Sequence, residues 1–235
     1  MHVGRKANSA SARADAALVA ERSGRNSEKA MAGLQEDIML GRFGPRARLT
    51  EDEVMERFDL KRHAARDVLA RLSRMGIVVK EPNRGAMVRS FFPDEVEQIY
   101  HMRTLLQREA ARLIPLPASP GLLRTLRRLQ QAHAAAVDRR ELLKVFHLNN
   151  EFHETLFAAC GNPWLCESIR QFSWMAYAIR CYRIADPGFQ IQARDEHAQM
   201  IAAMEAGDRK GLMKLCVEHI MRSKNVYLED QRRLA

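Results

Sequence analysis

The spacing of apolar residues changes period twice along this chain, and those changes limit what it can fold into. From Glu28 to Met75 apolar positions recur at helical intervals, from Ile77 to Arg89 they alternate, and from Asp94 onward only helical intervals occur. A helix buries one stripe at a period of about 3.6 residues, whereas a strand turns alternate side chains to opposite faces. The chain is therefore expected to be mainly α, with one small β-hairpin between two helical stretches.

Local signals sharpen the first stretch. Met31, Leu34 and Ile38 share a helical face that ends at Gly41 and Gly44-Pro45. Thr50 can cap a second helix, with Glu53 completing a capping box and Val54 and Phe58 on its apolar side. A third is expected from Arg62 to Met75, with Ala65, Val68, Leu69 and Leu72 inward and Gly76 at its end. Ile77 to Lys80 and Met87 to Arg89 then flank the turn-forming Pro82-Asn83-Arg84-Gly85. Three short helices and a hairpin outline a winged helix-turn-helix. Beyond Phe91-Phe92-Pro93, breaks near Pro115, Asp138, Gly161, Pro187 and Gly207 predict six helices forming an all-α bundle. The expected organisation is a flexible basic tail over 1–29, a winged helix-turn-helix over 30–90 and a six-helix domain over 91–235.

Composition excludes several classes. An apolar fraction of 46% over 235 residues is too high for wholesale disorder. No apolar run has the roughly 18 residues of a membrane span, and the first residues lack the apolar block of a signal peptide, so a cytoplasmic protein is expected. Cys160, Cys166, Cys181 and Cys216 form no CxxC pair and are expected to be reduced thiols. The net charge of +9 suggests a polyanionic partner, but it divides as +3 over each of the three segments and so does not locate one.

Placement is more telling. Lys61, Arg62, His63 and Arg66 cluster at the start of the expected recognition helix, where basic groups reach phosphates and an Arg can bridge guanine O6 and N7. Arg48 before the second helix, and Arg84 with Gly85 at the hairpin tip, would reach flanking backbone or minor groove.

In the helical domain the informative residues are polar groups on apolar faces. Asn149 and His153 lie one turn apart on the face of Leu142, Val145, Phe146 and Leu156; His197 falls among Ala193, Met200, Ile201 and Met204; His219 falls among Leu212, Leu215, Cys216 and Val226. Each histidine alone could be a core residue with a satisfied hydrogen bond. Together with Asn149 they could equally supply an N3O set to zinc or a similar divalent ion. Arg103 lies centrally on the apolar face of the first bundle helix, with no acid on that face, and such a guanidinium needs an anion. Tyr177 and Arg180 are further pocket candidates, or else surface or dimer residues.

The stretch from Gly44 to Val88, with Arg48 to Glu51, Arg57 to Leu60, Arg66 to Leu72, Gly76 to Val78 and Pro82 to Val88, resembles the DNA-binding domain of GntR-family regulators. That resemblance implies DNA contacts at Arg48, Arg62, Arg66 and the Arg84-Gly85 tip. Lys61 and His63 stand where relatives carry a capping Ser and a Thr. Asn149 to His153, Gly161-Asn162, Glu196-His197 with Gly207-Asp208, and Glu218 to Ile220 resemble the FCD effector domain of the FadR subfamily, in its six-helix, VanR-like branch. This implies a metal held by Asn149, His153, His197 and His219, zinc first with nickel or manganese as alternatives. It also implies an effector carboxylate at Arg103. The family commonly has Asp at the Asn149 position and Glu at the Gln107 position.

No GxSxG, P-loop or Gly-rich dinucleotide turn occurs, and His153-Glu154 begins a zincin motif whose next ligand position is Phe157. An enzyme is not expected. The expectation is a homodimeric DNA-binding regulator, a repressor, that binds a palindromic operator and is modulated by a small organic acid at a metal-containing pocket. Rival readings are a metal-dependent hydrolase fused to a DNA-binding domain, which lacks an identified general base, and an effector-independent architectural DNA binder.

Overall fold

A computed structural model describes residues 24–81, 85–181, 184 and 186–234. The chain divides into two compact units, one of residues 24–38 and Arg42–Arg89, the other of Met39–Gly41 and the residues from Ser90 onward. It is mainly α, with ten helices and three short strands among the described residues.

The first unit contains α1 (24–39) up to residue 38, β1 (Arg48–Leu49), α2 (Glu51–Phe58), α3 (Arg62–Arg74), β2 (Val78–Glu81) and β3 (Gly85–Val88). Its core is made by Ala30, Met31 and Leu34 of α1, Val54 of α2, and Ala65, Val68, Leu69 and Leu72 of α3. The capping box forms as the sequence predicts: Glu53 N–H donates to Thr50 Oγ1 at 3.2 Å, and Thr50 N–H to Glu53 Oε2 at 2.8 Å. The expected basic tail is helical over residues 24–29, the part of it that is described. Glu28 in that stretch accepts from Arg71 of α3 at 2.7 Å, a long-range tie that periodicity cannot reveal.

The hairpin is joined by a third strand. β3 lies between β1 and β2, antiparallel to both, with Leu49 opposite Ala86 and Val79 opposite Met87. Two residues are too few to show a period, which is why β1 was not expected. Asp37 supplies the unit's main buried charge. Its carboxylate is 1% exposed and accepts from Arg42 at 2.8 Å and from Arg57. Burial pushes its pKa up, but hydrogen bonds from Arg57 and Arg42 outweigh this and hold it below the ordinary value.

The second unit contains α4 (Pro93–Leu113), α5 (Pro120–Asp138), α6 (Leu142–Ala158), α7 (Pro163–Met175), α8 (Tyr177–Cys181), α9 (Pro187–Ala206) and α10 (Arg209–Leu234). These are seven helices rather than the expected six, because the fourth is interrupted at Ala176 into α7 and the five-residue α8. The other breaks have local causes. Ser119 and Asn162 cap α5 and α7, and Asp186 caps α9, each with Pro at the first helical position. α10 packs on α4 and α9, and α5 packs on α6 and α9. Tyr100 and Ser223 hydroxyls meet at 2.7 Å, and Lys224 pairs with Glu97 at 2.9 Å, fixing α4 against α10. All four cysteines are free, with Cys160 Sγ 3.9 Å from Cys166 Sγ. No helix among the described residues is long and apolar enough to cross a membrane.

Candidate DNA-reading face and candidate metal and effector site

In the first unit the apolar stripe of α3 fixes its outer face. Ala64, Ala65, Val68 and Leu69 are buried, so Lys61, Arg62, His63 and Arg66 project outward at its first turns. Lys61 stands at the N-cap without making a side-chain cap bond. Arg62 donates to Asp52 at 2.8 Å, and Arg66 holds both oxygens of Glu51 at 3.0 and 3.3 Å. These exposed pairs are worth little in water, so a phosphate can displace the carboxylates. Arg57 and Arg71 are instead committed to Asp37 and Glu28 inside the unit. Arg48 is exposed on β1. Arg84 lies outside the described residues. Gly85 has φ 85°, and a Cβ there would lie 2.4 Å from the Leu49 carbonyl oxygen. Its glycine is thus required by the approach of β1 to β3, a constraint internal to the sheet.

In the second unit α6, α9 and α10 turn His153, His197 and His219 toward one another, with ring nitrogens all within 4.8 Å. His153 Nε2 lies 3.0 Å from His219 Nε2 and 3.2 Å from His197 Nε2. Phe152 stacks on His197 at 4.2 Å between centroids. Burial keeps all three imidazoles neutral: the pKa of His219 is pushed down to about 3, and those of His153 and His197 lie well below the ordinary value.

Glu196 orients the third histidine. Its Oε2 accepts from His219 Nδ1 at 2.7 Å and its Oε1 accepts from Arg222. With the proton on Nδ1, His219 directs the lone pair of Nε2 at His153. If His153 carries its proton on Nε2 it can donate to His219, but it then has no lone pair for His197. If its Nε2 is bare, it faces the lone pair of His219 at 3.0 Å. One proton on His153 Nε2 can serve a single contact well or be shared poorly between two, whereas a cation held by all three nitrogens satisfies each lone pair. Nitrogens about 3.0–3.4 Å apart are what a divalent ion with bonds of about 2.1 Å draws together. The donor set therefore fits a divalent metal ion.

The cluster opens on a cavity of about 620 Å³, which Asn149 also lines. Arg103 of α4 is 4% exposed, and neither its Nε nor one terminal nitrogen has a hydrogen-bond partner. Its guanidinium lies 4.7 Å from the Tyr100 ring centroid. Burial lowers its pKa to about 10, so it remains charged at neutral pH. Arg180 of α8 lines the same cavity, donates to Asn150 Oδ1 and to the Ser173 carbonyl, and lies over the Phe146 ring at 5.1 Å. Tyr177 does not line it: the ring is 1% exposed, packed on Phe146 and stacked on Trp174.

Two site residues escaped the sequence reading. His133 of α5 lines the cavity with its ring 4.9 Å from that of His197, and neither of its nitrogens has a partner. Its position among Leu126, Leu129, Ala136 and Val137 on a buried face is the same signal that singled out the other histidines. Glu196 follows helical geometry: the wheel turns it about 100° from His197. That turn carries it toward α10, where it meets His219 and Arg222.

A winged helix-turn-helix with a basic outward face, attached to a helical unit holding a cation-lined cavity, is the plan of a DNA-binding transcriptional regulator. Residues 26–88 match the profile of bacterial regulatory proteins of the gntR family, and residues 98–222 match that of the FCD domain. The chain thus belongs to the GntR family of transcriptional regulators, in the group carrying an FCD domain. It is 26% identical over 170 residues to the Nta operon transcriptional regulator of Aminobacter aminovorans, covering 72% of this chain and 77% of the relative. It is 21% identical over 194 residues to the HTH-type transcriptional repressor RspR of Escherichia coli (strain K12), covering 80% and 82%. Among solved structures, E. coli McbR/YncC shares the fold with a TM-score of 0.73 at 19% identity, over 88% of this chain and 98% of that one. A putative transcriptional regulator GntR from Rhodococcus sp. RHA1 does so at 0.71 and 20% identity, over 88% and 99%. These domains and relatives are those of a DNA-binding regulator, not of an enzyme.

Proposed function

We propose that this regulator is a repressor whose operator affinity is set by a small organic acid bound at a metal-containing pocket in the FCD domain. The observation that carries the proposal is the cluster of three Nε2 atoms that one proton serves poorly and a shared cation serves well, facing the cavity that holds the unpaired Arg103. His153, His197 and His219 would hold the metal, zinc before nickel or manganese, with Asn149 as a neutral oxygen donor. When bound, the ion supplies a positive centre with open positions for a carboxylate oxygen. Arg103 receives the same carboxylate with its bidentate fork, and Glu196 keeps the His219 proton on Nδ1.

The DNA-binding unit would act as one half of a homodimer on a palindrome, its two-fold axis matched by that of the operator. Lys61, Arg62, His63 and Arg66 enter the major groove, with Arg62 and Arg66 exchanging their carboxylate partners for phosphate or guanine. Arg48 and the Arg84-Gly85 tip reach the flanks. An acid changes DNA affinity only through unequal affinity for two arrangements of the dimer, a coupling of typically about 1–3 kcal/mol.

The test uses the full chain and duplexes it enriches from a random pool, followed by fluorescence anisotropy. Zinc titrated against a competing chelator should bind one ion per chain, and an organic acid should weaken the DNA complex. His197→Ala should lose metal and acid response while keeping DNA binding. Full metal binding and acid response in both His197→Ala and His219→Ala would refute the proposal.

A further inference from the structure

The charges lining the cavity do not cancel, and the imbalance says what kind of acid the site takes. Arg222 is paired with Glu196 and Arg170 with Glu167. Glu154 lines the cavity and favours the charge of Arg180, but least among the groups that do so; it is exposed, screened by water and makes no ion pair with Arg180. Arg103 and Arg180 remain, and neither forms an ion pair with any described acid. The partners that hold Arg180 are the Asn150 amide oxygen, a backbone carbonyl and the face of Phe146, all neutral. They fix its direction, and only the exposed Glu154 offsets its charge, weakly. Arg103 has only Tyr100, through its ring and hydroxyl, and two of its nitrogens have no partner. Leaving a charge largely out of water without a counter-charge is costly; here Arg103 is buried and Arg180 half-buried in one cavity, and Arg180 is close enough to disfavour the charge on Arg103.

We propose that the cavity binds a dianion, specifically a small dicarboxylate with one carboxylate on Arg103 and the metal and the other on Arg180. This rests on the carboxylate reading above and adds the second acidic group. One carboxylate can complete Arg103, but it leaves Arg180 uncompensated on a different helix. Each guanidinium offers a planar fork that matches one carboxylate. Arg180 is then the residue that discriminates diacids from monoacids.

The experiment compares malonate, succinate and glutarate with propionate, butyrate and valerate on the zinc-loaded full chain at pH 7.5, by calorimetry. The best diacid should bind about ten- to one-hundred-fold tighter than its monoacid of equal length, the range expected for one charge-assisted pair. Arg180→Gln should collapse that ratio toward one with monoacid affinity unchanged, and Arg180→Lys should keep a diacid preference. Thermal melts of both variants report whether the fold is intact. Monoacids binding as tightly as diacids, or a diacid preference that survives in Arg180→Gln, would overturn the dianion while leaving the carboxylate reading standing. If no acid of either series binds, both fall.

Discussion

Replacing Glu196 with Gln changes one heavy atom, yet it should disable the proposed metal ligand His219 on the neighbouring helix. The carboxylate serves two donors at once, His219 Nδ1–H through Oε2 and Arg222 through Oε1, with all three side chains no more than 17% exposed. An amide has one oxygen and one NH2. If the oxygen faces His219, the NH2 confronts the guanidinium, two donors against each other. If the oxygen turns to the permanently charged Arg222, the NH2 faces Nδ1, the imidazole proton moves to Nε2, and the lone pair needed for metal is lost. Partners of ligating histidines are typically worth about 10- to 100-fold in metal affinity, or roughly 1.4–2.7 kcal/mol. Zinc titration against a chelator should show that loss in Glu196→Gln with the fold intact. Adding Arg222→Met frees the amide to turn its oxygen to His219, so the double variant should recover much of the affinity. Wild-type zinc affinity in Glu196→Gln would refute the tautomer argument, and a double variant weaker than the single would refute the role given to Arg222.

Three further outcomes follow from the DNA-binding unit. Asp37→Ala removes the acceptor of Arg42 and Arg57, whose side chains are 59% and 47% exposed and can return to water. The loss should be about 1–3 kcal/mol, at or below the 3–5 expected when a buried charge is stranded, read from urea melts. Because the folded pKa of Asp37 is depressed, its stabilisation is present above its ordinary value of 3.8 and lost as pH falls through the folded value, so Asp37→Asn and wild type should converge in acid. Gly85→Ala must hold φ 85° and place a Cβ 2.4 Å from the Leu49 carbonyl, which should cost about 1–3 kcal/mol and weaken DNA binding; an unchanged melt would refute the close approach of β1. Arg66→Ala should weaken DNA binding and lower the salt slope by about 1 if Arg66 meets a phosphate, with zinc and acid affinity unchanged.

The elements legible in the sequence are those whose causes are local. The α2 start is fixed by Thr50 and Glu53 three residues apart, and α5, α7 and α9 by a capping side chain followed by Pro. The helical state of Gly24 to Ser27 is not legible, because they carry no apolar residue. The next residue, Glu28, is tied to Arg71 across 43 positions, a contact no local pattern reveals. β1 owes its existence to β3 and to a glycine that admits its backbone. The interruption at Ala176 has neither Gly nor Pro to announce it.

At the site, periodicity could say that His153, His197 and His219 point inward but not that they meet, since helical phase fixes direction and not the neighbour. The same limit applies elsewhere. His133 carries an equal inward signal, and the wheel of α9 cannot show that the partners of Glu196 stand on α10. Charge shows the point most clearly. The first unit contains more arginines than its outer face uses, because Arg42, Arg57 and Arg71 are consumed by Asp37 and Glu28. In the helical unit Arg170 and Arg222 are likewise paired. A net charge of +9 cannot distinguish a guanidinium held by an acid from one that awaits a ligand. That difference exists only once the pairs are formed, and among the described cavity residues it leaves Arg103 and Arg180 as the arginines without an ion pair, the groups on which the proposed acid would bind.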